Sequence, residues 1–173
     1  MARILIVDDS PSQLMGIRRI VEKLGHEALT AEDGAAGVEA AKREIPDLIL
    51  MDVITRDGEN GLDAAARIKR AFPQIKIIIV TSMPECSYLK RAKEIGVESF
   101  WYKEEQRESL LDVMERTMNG ESVYPGASPE LTLGMASSYQ FTERELDILR
   151  EITSGDTNQE IADRLNMSVA TVK

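Results

Sequence analysis

Apolar runs and helical repeats alternate along the first 120 residues of the chain. Five short stretches are rich in β-branched and other apolar residues, which is typical of strands covered on both faces. They span residues 3–7, 27–31, 48–51, 76–82 and 99–103. Between them, apolar positions recur at helical spacing and predict five amphipathic helices. These helices are expected over residues 11–24, 34–44, 62–72, 84–96 and 105–119.

This alternation predicts the fold class. Parallel strands must be joined by crossovers of a dozen or more residues, which are usually helical and right-handed. The five strand-helix repeats therefore predict an α/β fold, a doubly wound five-stranded parallel sheet with helices on both faces. The apolar run 48–51 ends on Asp52 and a polar, Gly-containing loop. We expect a central strand there, because open parallel sheets place their ligand chemistry at the carboxyl ends of strands.

The pattern changes after the last of these helices. Residues 121–140 are rich in Gly, Pro and Ser and carry few charges, which predicts a linker with one short helix after Ser128–Pro129. Residues 141–173 return to helical spacing and open with a capping box, a Thr followed three residues later by a Glu. We therefore divide the chain into a domain over residues 1–120, a linker, and a small all-α fragment.

Composition narrows the function classes. The net charge of −9 argues against a general binder of polyanions, because such binding needs clustered Lys and Arg. Cys86 is the only cysteine, so an intrachain disulfide is excluded. The N-terminus lacks the features of a signal peptide, and no apolar run approaches the roughly 20 residues that span a bilayer. We expect a soluble cytoplasmic protein with no membrane partner.

Three carboxylates follow two of the predicted strands. Asp8 and Asp9 come directly after residues 3–7, and Asp52 comes directly after residues 48–51. If these strands are adjacent, the three acids converge, and without a counter-ion each would raise the pKa of the others. A hard divalent cation with oxygen ligands, most plausibly Mg²⁺, relieves that repulsion. The alternative is that these acids only begin turns, which Asp commonly does.

These positions resemble the receiver domain of bacterial two-component response regulators. The resemblance covers residues 1 to about 120 and implies a flavodoxin-like sheet with strand order 2-1-3-4-5. It assigns metal binding to Asp8, Asp9, Asp52 and the backbone carbonyl of Ile54, phosphoryl acceptance to Asp52, switching to Thr81 and Phe100, and phosphoryl contact to Thr81 and Lys103. The cofactor implied is Mg²⁺, and the implied phosphoryl donor is a histidine of a sensor kinase. The loop after Asp52 departs from the family by what looks like one inserted residue.

The chemistry explains the residue types in this motif. A carboxylate is a poor nucleophile toward a phosphoryl group because both are anionic, so a bridging cation is needed. Lys103 and the Thr81 hydroxyl can then contact the phosphoryl oxygens through charge-assisted hydrogen bonds. The resemblance therefore implies a self-phosphorylating and self-dephosphorylating receiver rather than an enzyme that acts on other substrates.

The C-terminal fragment resembles the LuxR-type DNA-binding domain of the NarL/FixJ subfamily. This resemblance covers residues 141–173 and implies transcription regulation, with DNA contacts in a partial recognition helix at Ser168, Thr171, Val172 and Lys173. We expect promoter DNA as a partner of the full-length protein. Because the chain ends about one turn into that helix, we expect weak DNA binding and a monomer or weak homodimer that phosphorylation strengthens. A plain helical hairpin is the alternative, since acids outnumber bases in the fragment.

Two other function classes remain open from sequence. One is a stand-alone receiver that acts as a protein-interaction switch. The other is a Mg²⁺-dependent phosphohydrolase that uses Asp52 as nucleophile, as in haloacid-dehalogenase-like enzymes. Those enzymes need a second Asp two residues later, where this chain has Ile54. A P-loop hydrolase is disfavoured because no GxxxxGK occurs.

Overall fold

A computed structural model describes most of the first 126 residues and a few residues beyond them. The described residues are 1–54, 60–83, 85–103 and 109–126, with 132–133, 136–137, 159 and 162–163. The chain divides into two compact units, Met1–Pro129 and Glu130–Lys173. The domain boundaries drawn from composition stay a prediction.

The first unit is an open α/β sheet. Its elements in chain order are β1 (Arg3–Val7), α1 (Pro11–Lys23), β2 (Glu27–Ala31), α2 (Gly34–Glu44), β3 (Leu48–Met51), α3 (Gly61–Ala71), β4 (Lys76–Thr81), α4 (Cys86–Ile95), β5 (Ser99–Tyr102) and α5 (Leu110–Met118). The strands are all parallel and lie in the order β2-β1-β3-β4-β5. The predicted fold class and strand order are confirmed.

Alternate residues of the central strands pack into two separate cores, one on each face of the sheet. One face, built on residues such as Leu5 and Ile49, is covered by α2, α3 and α4. The other face, built on residues such as Ile4 and Leu50, is covered by α1 and α5. Successive side chains of a strand point to opposite faces, so a strand with two covered faces must be apolar throughout. In the part of the chain that is described, no helix is long and apolar enough to cross a membrane.

Side-chain caps set where several helices begin. Asp33 accepts a hydrogen bond from Ala36 N at the start of α2. Ser109 and Asp112 form a reciprocal capping box at the start of α5, each satisfying a backbone N–H that has no partner within the helix. The structure describes this helix from Leu110 to Met118, and residues 104–108, where its start was predicted, lie outside the described residues. Sequence periodicity overlooked the capping pair.

The predicted linker contains two structured parts. Residues 122–124 lie against β5 and the turn before it in the first unit, where Phe100 N donates to Val123 O at 2.8 Å. In the second unit, β6 (Thr132–Leu133) and β7 (Ala136–Ser137) form an antiparallel pair in the stretch where a short helix was expected.

Candidate functional site

The ends of β1 and β3 bring two carboxylates to one edge of the sheet. Asp8 follows β1, and Asp52 follows β3 and donates its backbone N–H to Val7 O at 2.9 Å. This bond extends the β1–β3 pairing by one step and fixes Asp52 beside the end of β1. Asp8 is 2% exposed and Asp52 is 8% exposed. Two buried acids at such a place need a counter-charge.

Lys103, which is distant from both acids along the chain, supplies that counter-charge. It follows β5, and its backbone N–H donates to Thr81 O at 2.9 Å. Its Nζ donates to Asp8 Oδ2 at 2.7 Å and to Asp52 Oδ2 at 2.6 Å. The ammonium therefore bridges the two carboxylates, a short charge-assisted geometry on both sides.

We call Asp8, Asp52 and Lys103 the triad. Burial and neighbouring charges act differently on the pKa values of Asp52 and Lys103. Burial raises the pKa of Asp52, the neighbouring charge of Asp8 adds to the rise, and hydrogen bonds from Lys103 and the Ile54 N–H partly oppose it. Burial lowers the pKa of Lys103, but its bonds to the two acids outweigh burial and the net shift is upward. Lys103 thus stays charged. With both acids ionised, the site holds one excess negative charge, which favours binding of a cation.

The two predicted switch residues lie on β4 and β5: the backbone oxygen of Thr81 accepts from Lys103 N, and Phe100 is three residues before Lys103. Thr81 is fully buried, and its Oγ1 accepts a hydrogen bond from Met83 N at 3.1 Å. Phe100 is also buried, with its ring centroid 5.0 Å from that of Tyr102. Thr81 and Tyr102 are paired residues in the β4–β5 register. The Thr81 hydroxyl keeps a hydrogen that it can donate to a ligand at the strand ends.

The expected convergence of three acids is seen for two of them. Asp8 and Asp52 share Lys103, whereas among the described residues no group of three His, Cys, Asp or Glu side chains is placed to hold a metal ion. A metal role for Asp9 stays a prediction. The donors still suit a hard cation, because two buried carboxylates carry more charge than Lys103 cancels. Ile54 N donates to Asp52 Oδ1 at 3.3 Å, so its backbone lies beside the acceptor; the role of its carbonyl also stays a prediction.

Gly61 is part of this site, and sequence reasoning missed it. A Cβ added at Gly61 would lie 1.8 Å from the backbone oxygen of Asp52, so only glycine lets α3 begin against the acceptor. Asn60 caps the helix by accepting from Leu62 N, and its backbone bridges to Ile54. An Asn-Gly pair directly before an amphipathic helix was the available signal. Residues 55–59, the rest of this loop, lie outside the described residues.

The predicted DNA contacts cannot be placed. Ser168, Thr171, Val172 and Lys173 lie outside the described residues. Residues 159, 162 and 163, in the fragment where helical spacing was predicted, are helical. Gln159 Nε2 donates to Asp163 Oδ1 at 3.0 Å, a pair one helical turn apart.

Two protein families match this chain. The response regulator receiver domain matches residues 4–115. The luxR family of bacterial regulatory proteins matches residues 139–173. Together the two matches cover the sheet with its strand-end acids and the C-terminal helical fragment, in the order expected from sequence.

Similar proteins give the same picture. The response regulator protein VraR of Staphylococcus aureus strain Mu3 is 36% identical over 182 aligned residues, covering 99% of this chain and 85% of VraR. A LuxR-family two-component response regulator from Aurantimonas sp. SI85-9A1 has a similar structure, with a TM-score of 0.66 and 26% identity over 71% of this chain and 89% of that one. A CheY-like receiver from Methanospirillum hungatei JF-1 shares the fold, with a TM-score of 0.65 and 24% identity over 69% of this chain and 94% of that one.

Proposed function

The chain belongs to the response regulators of two-component phosphorelays that join a receiver to a LuxR-type DNA-binding domain, and we propose that Asp52 is its phosphoryl acceptor. The observation that carries this proposal is the buried bridge from Lys103 Nζ to Asp8 and Asp52. A structural ion pair needs one acid, whereas this lysine holds two. The second acid leaves negative charge available for a cation and its phosphoryl ligand.

In this proposal, the chain's own residues position and compensate the transfer. An Asp52 carboxylate oxygen attacks the phosphorus of a phosphohistidine, a P–O bond forms, and the P–N bond to the kinase histidine breaks. Lys103, already 2.6 Å from Asp52 Oδ2, moves its hydrogen bond to a phosphoryl oxygen. The Thr81 hydroxyl donates a hydrogen bond to another phosphoryl oxygen. Both donors come from neighbouring strand ends, so little reorganisation is needed.

The cation belongs to the same proposal. Asp8, Asp9 and Asp52, with the Ile54 carbonyl, would hold Mg²⁺. Bound there, Mg²⁺ would neutralise the charge that builds up between carboxylate and phosphoryl group. The buried Asp8 and Asp52 fit this assignment because they are hard oxygen donors with excess negative charge.

The partners follow from the two domains. We propose a sensor histidine kinase as phosphoryl donor, promoter DNA as the target of the full-length protein, and a homodimer favoured by phosphorylation. The cellular location that suits these partners is the cytoplasm. Phosphorylation must stabilise one receiver conformation more than another, because otherwise no signal passes to the DNA-binding domain.

To test this proposal, the 173-residue chain is incubated with acetyl phosphate and Mg²⁺, and its intact mass is measured by mass spectrometry. We expect one phosphoryl adduct, absent from Asp52→Asn. The matched control is Asp47→Asn, which removes a charge at the other end of β3, where Asp47 Oδ2 accepts from Arg3 N at 2.7 Å. An adduct retained in Asp52→Asn would refute the assignment. Continuous phosphate release without an adduct would favour a phosphohydrolase.

A further inference from the structure

The stretch after α5 covers the open edge of the sheet. We call residues 122–124 the edge segment. β5 is the last strand of the sheet, and the segment bonds to it: Val123 O accepts from Phe100 N at 2.8 Å, and Val123 N donates to Ser99 Oγ at 3.0 Å. Ser122 Oγ adds a bond to Glu98 O at 2.5 Å. The edge N–H of Phe100 is thus satisfied by chain that composition alone assigned to a linker.

Neighbouring side chains of the edge segment enter the two different cores. Val123 is buried with Val113 and Met114 on the α5 face. Tyr124 packs against the core on the opposite face. Alternation of side chains along an extended backbone explains this arrangement. The segment therefore straddles the sheet edge and depends on packing on both faces.

Tyr124 is held by three different groups. Its hydroxyl donates to Val97 O at 2.7 Å, and burial raises the pKa of that hydroxyl, so it remains a donor. Lys93 Nζ lies 5.0 Å from the ring centroid, a cation–π distance. The Phe100 ring is 6.4 Å away, centroid to centroid. Tyr124 is thus a half-buried side chain with specific contacts on α4, on β5 and on the turn between them.

Phe100 is where the site and the edge segment meet. Its backbone N–H holds Val123, its ring packs beside Tyr124, and Lys103 of the acidic site lies three residues further along. Phe100 is fully buried. Because cores are close-packed, a shift of its ring or of the end of β5 cannot leave Val123 and Tyr124 unmoved.

We propose that the edge segment carries the signal out of the receiver: it is docked in the unphosphorylated protein, and phosphorylation of Asp52 loosens it. This inference rests on the proposed function of Asp52. When Lys103 and Thr81 bind the phosphoryl group, the ends of β4 and β5 shift, the Phe100–Val123 bond and the Phe100–Tyr124 contact weaken, and the chain that leads to residues 130–173 gains freedom. The phosphorylation site is thereby connected to the C-terminal fragment through the backbone of the edge segment.

Hydrogen exchange of the whole chain, with and without acetyl phosphate and Mg²⁺, tests this inference. In the phosphorylated protein we expect protection of the Phe100 and Val123 N–H groups to fall by about tenfold or more, a scale typical of local opening. Intact mass on the same sample reports the adduct. If no adduct forms, the proposed function fails; if the adduct forms and protection at these residues is unchanged or increased, only the inference is overturned.

Reciprocity provides a second readout that a purely structural role would not change. If loosening favours the phosphorylated state, removing the Tyr124 ring should tighten binding of beryllofluoride, a phosphoryl mimic, by roughly fivefold. Tyr124→Ala is the test variant, and Tyr124→Phe, which keeps the ring and loses only the bond to Val97 O, should show a smaller gain. Phe72→Ala is the matched control, because it removes a half-buried ring that packs against the same core just after α3 and is not part of the edge segment. Equal affinities in all four proteins would refute the coupling; should Tyr124→Ala not fold, Tyr124→Phe and the exchange experiment still decide.

Discussion

Two buried lysines, one at each end of the parallel sheet, are paired with acids in different ways. At the end opposite the site, Lys69 Nζ donates to Glu98 Oε1 at 2.6 Å and to the carbonyls of Pro73 and Ile75. The second Glu98 oxygen accepts from Ile77 N at 2.8 Å. Every donor of this ammonium is used and its charge is matched by one carboxylate.

The lysine at the site end is equally buried but its charge is not matched. The Lys69 side chain is 11% exposed and that of Lys103 is 12% exposed. Lys103 faces two carboxylates, Asp8 and Asp52, and the pKa of Asp52 remains raised, chiefly by burial, despite the lysine. Burial alone therefore does not distinguish a structural ion pair from a functional one. The balance of charge does, because excess charge can be compensated only by a ligand.

The largest expected difference is between Lys69→Met and Lys103→Met. Removing Lys69 leaves a half-buried Glu98 without its cation, so we expect the free energy of unfolding to fall by about 3 kcal/mol, while the folded protein still becomes phosphorylated. Removing Lys103 should slow phosphorylation by about tenfold or more. Lys103→Met should also lose stability, because Asp8 and Asp52 are left without their cation. Millimolar Mg²⁺ should restore the stability of Lys103→Met but not that of Lys69→Met. Urea unfolding and adduct formation measure the two effects, and identical behaviour of the variants would remove the distinction.

A smaller effect is expected where α3 begins against the site. In Gly61→Ala the new methyl group meets the Asp52 carbonyl oxygen, so we expect a loss of about 1–3 kcal/mol of stability as the backbone shifts. Gly16→Ala in α1 is the control, because nothing lies within 4 Å of a Cβ there, and it should gain up to about 1 kcal/mol. Thermal unfolding compares them. A Gly61→Ala protein as stable as the parent would mean that this end of α3 is loosely held.

The excess charge at the site end predicts a response to Mg²⁺. At about ten times its Kd, Mg²⁺ should raise the free energy of unfolding by about 1.4 kcal/mol. Asp9→Ala should abolish this gain and block phosphorylation. Asp47→Ala, at the other end of β3, should leave both unchanged. A melting temperature of the parent that does not respond to millimolar Mg²⁺ would argue against a metal site formed by the strand-end acids.

The smallest effect concerns how long the phosphoryl group persists. Hydrolysis needs a water in line with the phosphorus, and polar side chains two residues past Asp52 and Thr81 can orient it. Here those positions hold Ile54, which is 49% exposed, and half-buried Met83. We expect slow autodephosphorylation, and Ile54→Asn and Met83→Glu should each lower the barrier by about 1 kcal/mol. An adduct that decays quickly in the parent, or at the same rate in the double variant, would show that apolar shielding is not what protects it.

Local pattern in the sequence determined the elements and the chemistry available to them. Runs such as residues 48–51 predict buried strands because both faces must be apolar, and a carboxylate directly after such a run predicts a ligand site at the sheet edge. The family, the strand order and the identities of Asp8, Asp52, Thr81, Phe100 and Lys103 followed from motif resemblance. The strand and acid signals each lie within a few residues of chain and the resemblance adds only the spacing between motif positions, so no knowledge of long-range contacts was needed.

Only the tertiary structure decided which of those residues share contacts. Lys103 bridges Asp8 and Asp52 across 95 and 51 residues of sequence, whereas the described residues show no cluster of three acids. Gly61 is needed because the backbone of Asp52 approaches it closely, and the supposed linker at Val123 and Tyr124 completes the sheet edge. Periodicity and composition report only what a residue's own segment prefers. Close approach and charge pairing depend on which distant segments pack together, and packing is a property of the folded chain.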